Sequence, residues 1–399
     1  MFAASLPALP PGVALPVDAD DEPASYSPPI VISAGGTYRG NWRSLDDDVP
    51  AVRIATREPV IIERSQLAGA GRLIATDFAV GDLTVRDCTF RGQAPKDPKR
   101  ARGEAIVGWG FRNLVVEHNT FIGTGTAISA DEYSGDGTPA NTLIVRYNRA
   151  RDLNGAIAAG GRQDISFVRV VNFRGEAGNP PGAEIAWNEV VNRPGASCTE
   201  CLIVLWLAGG RPDSWFAVHN NCLYGSYYPD PRTEKSTGSG LTIVGPDSER
   251  TAYIEVRDNL ILNTTNAGIT VAAGSNLRIH GNRIISTSRM PDGTEMPGSF
   301  VGLQVADIER DNPARVGSMH DISIVDNVFG WAHPHEAVPH PHRHDALFRE
   351  GAGDVNGPNR HLSDAPITQA MQDDEHARFL ERAGSADIVI GPRPGPPAR

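Results

Sequence analysis

The chain has 399 residues and a net charge of −11, with 42 glycines and 31 prolines. An acidic surface repels phosphate backbones and anionic lipid headgroups, so these numbers disfavour nucleic acid and membrane surfaces as partners. No apolar run approaches the roughly 18–20 residues that span a bilayer, which argues against membrane insertion. The excess of glycine and proline is typical of many short elements joined by turns.

The N-terminal 1–30 form a proline-rich, acidic arm. They lack the basic stretch of a secretory signal, so classical secretion is not expected. Apolar segments follow at 29–42, 51–56 and 59–64, and they have the alternation of strands. We interpret them as the opening turns of a larger repetitive unit.

One phrase then recurs along the chain: alternating apolar residues, an asparagine, and a large apolar residue two positions later. It first appears clearly as "LVVEHNTF" at 114–121. Copies follow as "LIVRYNRA" (143–150), "EIAWNEVV" (184–191), "FAVHNNCL" (216–223), "IEVRDNLI" (254–261), "LRIHGNRI" (277–284) and "ISIVDNVF" (322–329). "LTVRDCTF" (83–90) has a cysteine in the asparagine position, and "ISFVRVVN" (165–172) is interpreted as a degenerate copy with Val170 there.

A second short strand is predicted between successive copies. The segments are "AIVGW" (105–109), "AISAD" (127–131), "AIAAG" (156–160), "LIVLW" (202–206), "LTIV" (241–244), "GITVA" (268–272) and "GLQVA" (302–306). Period-two alternation indicates strands, and repetition indicates turns that bury their inner faces only by stacking. Stacking at about 4.8 Å would place the asparagines in a hydrogen-bonded ladder. The predicted ladder comprises Asn119, Asn148, Asn188, Asn221, Asn259, Asn282 and Asn327.

These asparagine-cornered strands resemble the right-handed parallel β-helix superfamily, the pectate-lyase-like solenoids, over about residues 50–331. The resemblance implies an all-β right-handed parallel β-helix. The fold alone does not fix a function, because it serves lyases, hydrolases, epimerases, esterases and phage spikes. We therefore expect an arm at 1–30 and a β-helix at 31–331.

Two C-terminal segments are expected to lie outside the solenoid. A His/Pro-rich linker is predicted at 332–362, and a helix, a short strand and a tail at 363–399. The helix is predicted over 363–384, with Ser363 or Asp364 as its N-cap and Gly384 as its stop. The strand is predicted at 387–391, added to an edge of this or another chain.

In solenoids that this chain resembles, the substrate groove follows the strand preceding the asparagine corner. Alternation predicts which side chains of these strands point outward. They are Trp109, Ser129, Asp131, Thr242, Thr270 and Gln304. Trp206 joins them if its neighbours Ile203 and Leu205 face inward. Few carboxylates are among them, whereas acid–base hydrolysis of a glycoside needs two. Of the polygalacturonase signature of this superfamily only "HG" occurs, as His280-Gly281.

The weak catalytic candidates are Asp131 and Glu132 in "ADEYSGDG" and Asp213 and His219 in "RPDSWFAVHNN". A carboxylate or an imidazole is the kind of group that moves a proton. Solvated turns or plain surface residues are the competing interpretation of all four.

Aromatic residues give a stronger indication of sugar binding, because flat rings stack on the apolar faces of sugars. The predicted carbohydrate-binding set is Trp109, Asp131, Trp206, Trp215, Tyr227 and Tyr228. Loop anchoring and subunit contact are the alternative role of these rings.

No cofactor is required by this interpretation, but two segments would suit metal ions. The acidic loop after Ala130 would take calcium. A His-x-His pattern would take a transition metal and comprises His333, His335, His340, His342 and His344. Cys198 and Cys201 form a C-x-x-C whose thiols are either a redox pair, part of a zinc site, or unpaired.

Two functions follow as hypotheses. The first is a non-catalytic structural or adhesive protein of the virion spike, decoration or fibre type that contacts polysaccharide. It would be a homo-oligomer, a trimer being favoured, or bind other structural proteins through its arms, and lie on a virion or extracellular surface. The second is a polysaccharide lyase or glycoside hydrolase of the same fold.

Overall fold

A computed structural model describes residues 22–77, 81–97, 100, 102–134, 142–155, 165–173, 183–233, 237–308, 310–332, 345–349 and 355–394. Within these ranges the chain winds through three strands per turn, and three parallel sheets of eleven strands run along the molecule. The predicted right-handed parallel β-helix is therefore confirmed, and it is the architecture that the resemblance to pectate-lyase-like solenoids implied.

The strands are numbered in chain order, and every third strand belongs to the same sheet. The first sheet contains β1 (Ile30–Ile32), β4 (Val52–Ile54), β7 (Ile74–Thr76), β10 (Ile106–Trp109), β13 (Ile128–Asp131), β16 (Val168–Val171), β19 (Cys201–Trp206), β22 (Ser239–Val244), β25 (Ala267–Val271), β28 (Val301–Val305) and β31 (Ala346–Phe348). The second sheet contains β2 (Gly36–Tyr38), β5 (Val60–Glu63), β8 (Gly81–Arg86), β11 (Phe111–Glu117), β14 (Leu143–Arg146), β17 (Glu184–Ala186), β20 (Phe216–His219), β23 (Ala252–Arg257), β26 (Ser275–His280), β29 (His320–Val325) and β32 (Val355–Asn356). The third sheet contains β3 (Asn41–Ser44), β6 (Gln66–Gly69), β9 (Thr89–Gly92), β12 (Thr120–Ile122), β15 (Arg149–Arg151), β18 (Glu189–Val191), β21 (Cys222–Ser226), β24 (Leu260–Thr264), β27 (Arg283–Ser286), β30 (Val328–Trp331) and β33 (Arg360–His361).

The core lies inside the tube and is built by residues of the same kind stacked in register. Leu114 pairs with Leu83 on one side and with Leu143 on the other. Phe90 and Phe121 stack with ring centroids 4.9 Å apart. Because each strand alternates, one set of side chains fills the tube while the other points outward. This alternation is what places the candidate site on an outer face.

The asparagine ladder is confirmed at the corner between the second and third sheets. Its amides are buried, and the Nδ2 of each donates to the Oδ1 of the next, as from Asn119 to Asn148 at 3.0 Å and from Asn188 to Asn221 at 2.9 Å. The ladder continues one step beyond the prediction, because Asn327 donates to Asn359 at 3.0 Å. At the other end, the backbone N–H of Cys88 donates to the Oδ1 of Asn119.

The residue before each ladder position has a left-handed backbone. The φ angles are 55° at Asp87, 57° at His118, 60° at Tyr147, 54° at Trp187, 52° at Asn220, 55° at Asp258, 66° at Gly281 and 56° at Asp326. A non-glycine residue pays roughly 1–2 kcal/mol for this conformation. The buried amide hydrogen bonds of the ladder hold the corner and offset that cost.

One segment differs from its predicted place in the turn. Residues 165–172 are not a corner copy, because β16 belongs to the first sheet, where Val168 and Val170 pair with Ile128 and Ala130. The predicted strand 156–160 lies outside the described residues. An alternating apolar strand has the same pattern in any sheet, so only the asparagine identifies the corner.

The solenoid is longer than predicted. Strands β31, β32 and β33 form an eleventh turn inside the segment that was expected to be a linker, so the boundary at 331 is too early. The terminal strand predicted at 387–391 is also wrong, since those residues form no strand.

Helix α1 (Gln369–Ser385) covers the outer face of the third sheet. Its N-cap is Thr368, whose side chain accepts a hydrogen bond from the N–H of Met371, rather than Ser363 or Asp364. The residues it buries are Gln372, Glu375, His376, Phe379 and Ala383. Three of these five are polar and pair with the solenoid, which explains why its apolar stripe is thin in the sequence.

Beneath α1, the outward side chains of the third sheet are apolar. They include Val191, Tyr224, Leu262 and Ile285, which cluster with Phe379 and Ala383 of the helix. The C-terminal strap, defined as residues 386–394, then runs back along the ladder corner. Gly391 donates to the carbonyl of Tyr147 at 2.8 Å, and Arg393 reaches Asp87.

The described residues include no helix with the length and apolarity to cross a membrane. All four cysteines are buried free thiols, so Cys198 and Cys201 are not joined to each other. Burial raises the pKa of both thiols to about 12, which makes them poor nucleophiles.

Candidate functional site

The candidate site is the outward face of the first sheet, in its central turns. In β10, Ile106 points into the core, and alternation turns Trp109 outward. In β13, Ile128 and Ala130 are likewise core residues, so Ser129 and Asp131 face outward. Two parallel rows of outward side chains therefore run across the strands.

The first of these, here called the tryptophan row, is fixed by the strand register. Trp109 pairs with Asp131, Asp131 with Val171, Val171 with Trp206, and Trp206 with Val244. Trp109 is 42% exposed and Trp206 is 39% exposed, so both are exposed large apolar side chains among the described residues. Three strand spacings separate the two indoles, which is roughly 14 Å.

Asp131 lies between the tryptophans and is only 6% exposed. Its Oδ2 accepts a hydrogen bond from the Ser129 hydroxyl at 3.3 Å, and its Oδ1 is buried with no hydrogen-bond partner among the described residues. Burial raises the pKa of this carboxyl; the charge of Arg169 acts in the opposite direction, and Glu104 and Glu132 reinforce the rise. The side chain is thus biased toward its neutral, proton-bearing form.

Asp77 continues the tryptophan row on the other side of Trp109, because it follows β7 by one residue. Its backbone N–H still donates to the carbonyl of Ile54, as in the strand. Arg53 holds its carboxylate with two hydrogen bonds of 2.8 and 3.0 Å. This second carboxylate therefore has a cation of its own.

The second row lies beside the tryptophan row and is almost free of charge. In register it runs through Val107, Ser129, Arg169, Val204, Thr242, Thr270 and Gln304. From β10 to β28 Arg169 is its one charged member, and it lies one strand from Ser129. Before β10 the row continues through Ala75 to Arg53. The hydroxyl and amide groups of this row can each donate and accept hydrogen bonds.

Arg169 and Val171 are outward residues of these rows that the sequence pattern does not predict. Both omissions follow from the assignment of residues 165–172 to the asparagine corner. The absence of any asparagine at position 170 was the available signal for the other placement.

Of the four predicted catalytic residues, Asp131 alone lies in these rows. Glu132 leaves the strand with a φ of 59°, is exposed, and accepts a hydrogen bond from Asn172 at 2.7 Å. Asp213 lies in the loop between β19 and β20, where its exposed carboxylate pairs with Arg211 at 3.0 Å.

His219 and Trp215 are placed with the second sheet rather than with the groove, which corrects their predicted position. The Nε2 of His219 is 3.1 Å from Glu184, a neighbour on β17. Arg278 of β26 stacks over the Trp215 ring at 4.0 Å, and Tyr253 contacts it edge-on.

Tyr227 cannot stack on a ligand, because it is 1% exposed and its hydroxyl lies 3.3 Å from the amide nitrogen of Asn263. It anchors the loop after β21, as the alternative role for these rings proposed. Tyr228 is half-buried in the same loop. Of the predicted carbohydrate-binding set, Trp109, Asp131 and Trp206 thus lie in one row, and Tyr228 lies outside that row in the loop after β21.

The predicted histidine site at 333–344 lies outside the described residues. Within the described ranges, no group of three or more histidine, cysteine or acidic side chains is arranged to hold a metal ion.

Comparison with known proteins gives similarity of fold only. No protein-family model matches the sequence. No curated protein matches it either. Among solved structures, a mannuronic acid-specific polysaccharide family 6 lyase from human gut microbiota aligns with a TM-score of 0.39 and 12% identity, covering 92% of this chain and 91% of that chain. The A-module of the mannuronan C-5 epimerase AlgE4 from Azotobacter vinelandii aligns with a TM-score of 0.30 and 13% identity, covering 86% and 89%. Neither similarity assigns a role to a residue here.

Proposed function

We propose that this protein binds carbohydrate along the outward face of its first sheet, as an adhesive or structural β-helix rather than as a catalyst. The observation that supports this most directly is the tryptophan row. Trp109 and Trp206 lie in one row on two strands of the first sheet, and each is about 40% exposed. A polar residue could occupy either outward position, so the presence of two exposed indoles supports a binding surface.

The chemistry of the row suits a sugar chain. Indole faces desolvate the apolar C–H faces of pyranose rings, as they do at other interfaces. Between the indoles lie Val171 and the nearly buried Asp131, neither of which protrudes as an indole does. Thr242, Thr270 and Gln304 offer hydrogen bonds to sugar hydroxyls from the adjacent row.

A non-catalytic role is supported by the shortage of paired carboxylates. Glycoside hydrolysis uses two carboxyl groups about 5–9.5 Å apart. Outward positions of the described first-sheet strands supply one, that of Asp131. Asp77 follows in line but is held by Arg53.

Measuring glycan binding by single tryptophan variants tests this proposal. We expect Trp109→Ala and Trp206→Ala each to weaken glycan binding roughly 5- to 150-fold, the range for one lost aromatic stack of about 1–3 kcal/mol. Trp215→Ala is the matched control, since that ring lies over the second sheet. A glycan array followed by calorimetry on the best ligand measures all three. Equal binding by the two groove variants and the control would overturn the proposal.

A glycoside hydrolase of inverting type is the second candidate, favoured by the raised pKa of Asp131. A neutral carboxyl in a groove is the form that a general acid needs. Asp77 lies two strand spacings away, roughly 10 Å, close to the upper limit for an inverting pair. Release of reducing ends by the wild type, lost in both Asp131→Asn and Asp77→Asn, would support this candidate over simple binding.

A virion or extracellular location and a trimeric state stay predictions. Light scattering on the full chain gives the oligomeric state directly, and a monomer at micromolar concentration would contradict the trimer.

A further inference from the structure

We infer that the groove selects uncharged glycans over polyuronates, an inference that rests on the carbohydrate-binding function proposed above. The supporting observation is that the described strands of the first sheet place only two cations outward, Arg53 and Arg169. A polyuronate carries one carboxylate per sugar, and each buried carboxylate needs a cation or several hydrogen-bond donors.

The rows contain few charges among the described residues. Arg53 is engaged by Asp77 through both oxygens. Arg169 is the other cation, and its charge opposes the rise in the pKa of Asp131. From β19 to β28 the outward residues are Val204, Trp206, Thr242, Val244, Thr270 and Gln304, which carry no charge.

Two acidic residues at the edge of the groove disfavour an anionic ligand, and one of them, Glu104, also pairs with Arg72 at 3.3 Å. Glu104 and Glu132 lie close enough to Asp131 to disfavour its ionised form. The whole chain has a net charge of −11. Like charges around a groove lower the local concentration of an anionic ligand and slow its association.

The second sheet shows that the scarcity of charge is specific to the first. One outward row of the second sheet pairs in register through Glu63, Arg86, Glu117 and Arg146, and continues to His219, Arg257 and His280. These side chains form ion pairs, such as Arg86 with Glu63 and Arg146 with Glu117. The same solenoid therefore has a row of many charges on its second sheet and only a few charges in the rows of the first sheet, where the tryptophans are exposed.

The experiment compares polysaccharides before and after selective oxidation of the C6 hydroxymethyl group to a carboxylate. Cellulose oligomers, mannan, galactan and starch are immobilised in both forms, so each pair shares its linkage and ring configuration. At low salt we expect at least one native polysaccharide to bind at least 10-fold more tightly than its oxidised form. Salt should narrow that difference, because it screens the repulsion.

A gain-of-function variant gives an independent readout. Thr270→Arg puts a cation on the outward row where the wild type has a hydroxyl, and we expect it to improve binding of the oxidised form at least 5-fold. Thr233→Arg, in the loop after β21, is the matched control for added charge.

The outcomes separate the two proposals. Tighter binding of oxidised forms, weakened by Trp109→Ala and falling with salt, would overturn this inference and leave carbohydrate binding intact. Absence of binding to either member of every pair would overturn both.

Discussion

Arg393 forms a bidentate ion pair with Asp87, which lies 306 residues earlier in the sequence. Its Nε is 2.9 Å from Oδ1 and its Nη2 is 2.7 Å from Oδ2. The Asp87 side chain is 3% exposed, and it lies at the left-handed corner of the third turn. Repeats of a solenoid normally contact their neighbours alone, so such a protein can open from its ends. Through this ion pair and α1, the C-terminus ties the third turn to the ninth, which should make opening more cooperative.

Replacing Arg393 by alanine should release the strap. The loss leaves a buried carboxylate unpaired, but the guanidinium is 43% exposed, so we expect a cost of about 1–3 kcal/mol, between exposed and buried ion pairs. Amide hydrogen exchange of residues 386–394 should accelerate roughly 5- to 150-fold. Arg232→Ala, which breaks an exposed pair with Asp230, is the control and should leave strap exchange unchanged. Unaltered exchange in Arg393→Ala would show that the strap is held by other contacts.

Glu189 should make the protein sensitive to acid. Burial would raise the pKa of its carboxyl, but hydrogen bonds from His376 at 2.9 Å and Arg149 at 2.6 Å, with the charges of both, lower it to about 2. A pKa depressed in the folded state adds stability above the ordinary value of 4.5, and this stability is lost as pH falls toward 2. The difference corresponds to about 3 kcal/mol.

Urea unfolding of the wild type and Glu189→Gln between pH 7 and pH 2.5 checks this. The wild type should lose stability through that window, whereas the variant starts lower and changes less. Parallel curves for the two proteins would contradict the assignment.

The ladder predicts a position-dependent cost for removing an amide. Asn221 donates to Asn259, Ile185 and His219 and accepts from both the N–H and the Nδ2 of Asn188. Asn221→Ala leaves several buried groups without partners, so we expect a loss of at least about 3 kcal/mol.

Asn359 offers the matched comparison at the end of the ladder. It also accepts two hydrogen bonds from Asn327, but it is half-buried and water can replace it. Asn359→Ala should cost less than half as much as Asn221→Ala in urea unfolding. Equal costs would mean that the amide chain does not act as a buried network.

The fold was predictable because the same physical requirement repeats along the chain. Each turn must bury alternate aliphatics and satisfy a corner, so Asn119 to Asn327 identify the architecture from sequence alone. The eleventh turn was missed because its strands are two or three residues long and follow a histidine-rich segment. The packing of α1 was hard to predict for a different reason. Its buried face includes Gln372, Glu375 and His376, which pair with residues distant in sequence, and local hydrophobic periodicity does not identify such buried polar residues.

The site was only partly predictable. Outward alternation placed Trp109, Asp131 and Trp206 correctly, because it depends on neighbours within one strand. Asp213, Trp215 and His219 were associated with the groove by proximity in sequence, but a turn of the solenoid carries the chain from the first sheet to the second between Trp206 and Phe216. Their three-dimensional separation is set by the loop, which has no repeating pattern.

Asp131 should destabilise the folded protein at neutral pH. Its pKa is raised by burial, so the folded state favours the neutral carboxyl, and ionisation above that pKa favours unfolding. The stability that the neutral carboxyl provides is therefore fully present below the ordinary pKa near 3.8, and it is lost as the pH rises through the pKa of the folded state. Asp131→Asn keeps the shape, cannot ionise, and should raise the melting temperature at pH 8 while changing little at pH 4.

Calorimetric melting of both proteins at the two pH values tests this, with Asp213→Asn as an exposed control expected to shift neither. A stabilising Asn at this position would mean that the wild type retains a costly carboxyl in its groove, as proteins commonly do where a residue serves binding or catalysis. If Asp131→Asn instead lowers the melting temperature at pH 8, the carboxyl is ionised and paired in the folded state. The raised pKa, and with it the general acid of the hydrolase candidate, would then be excluded.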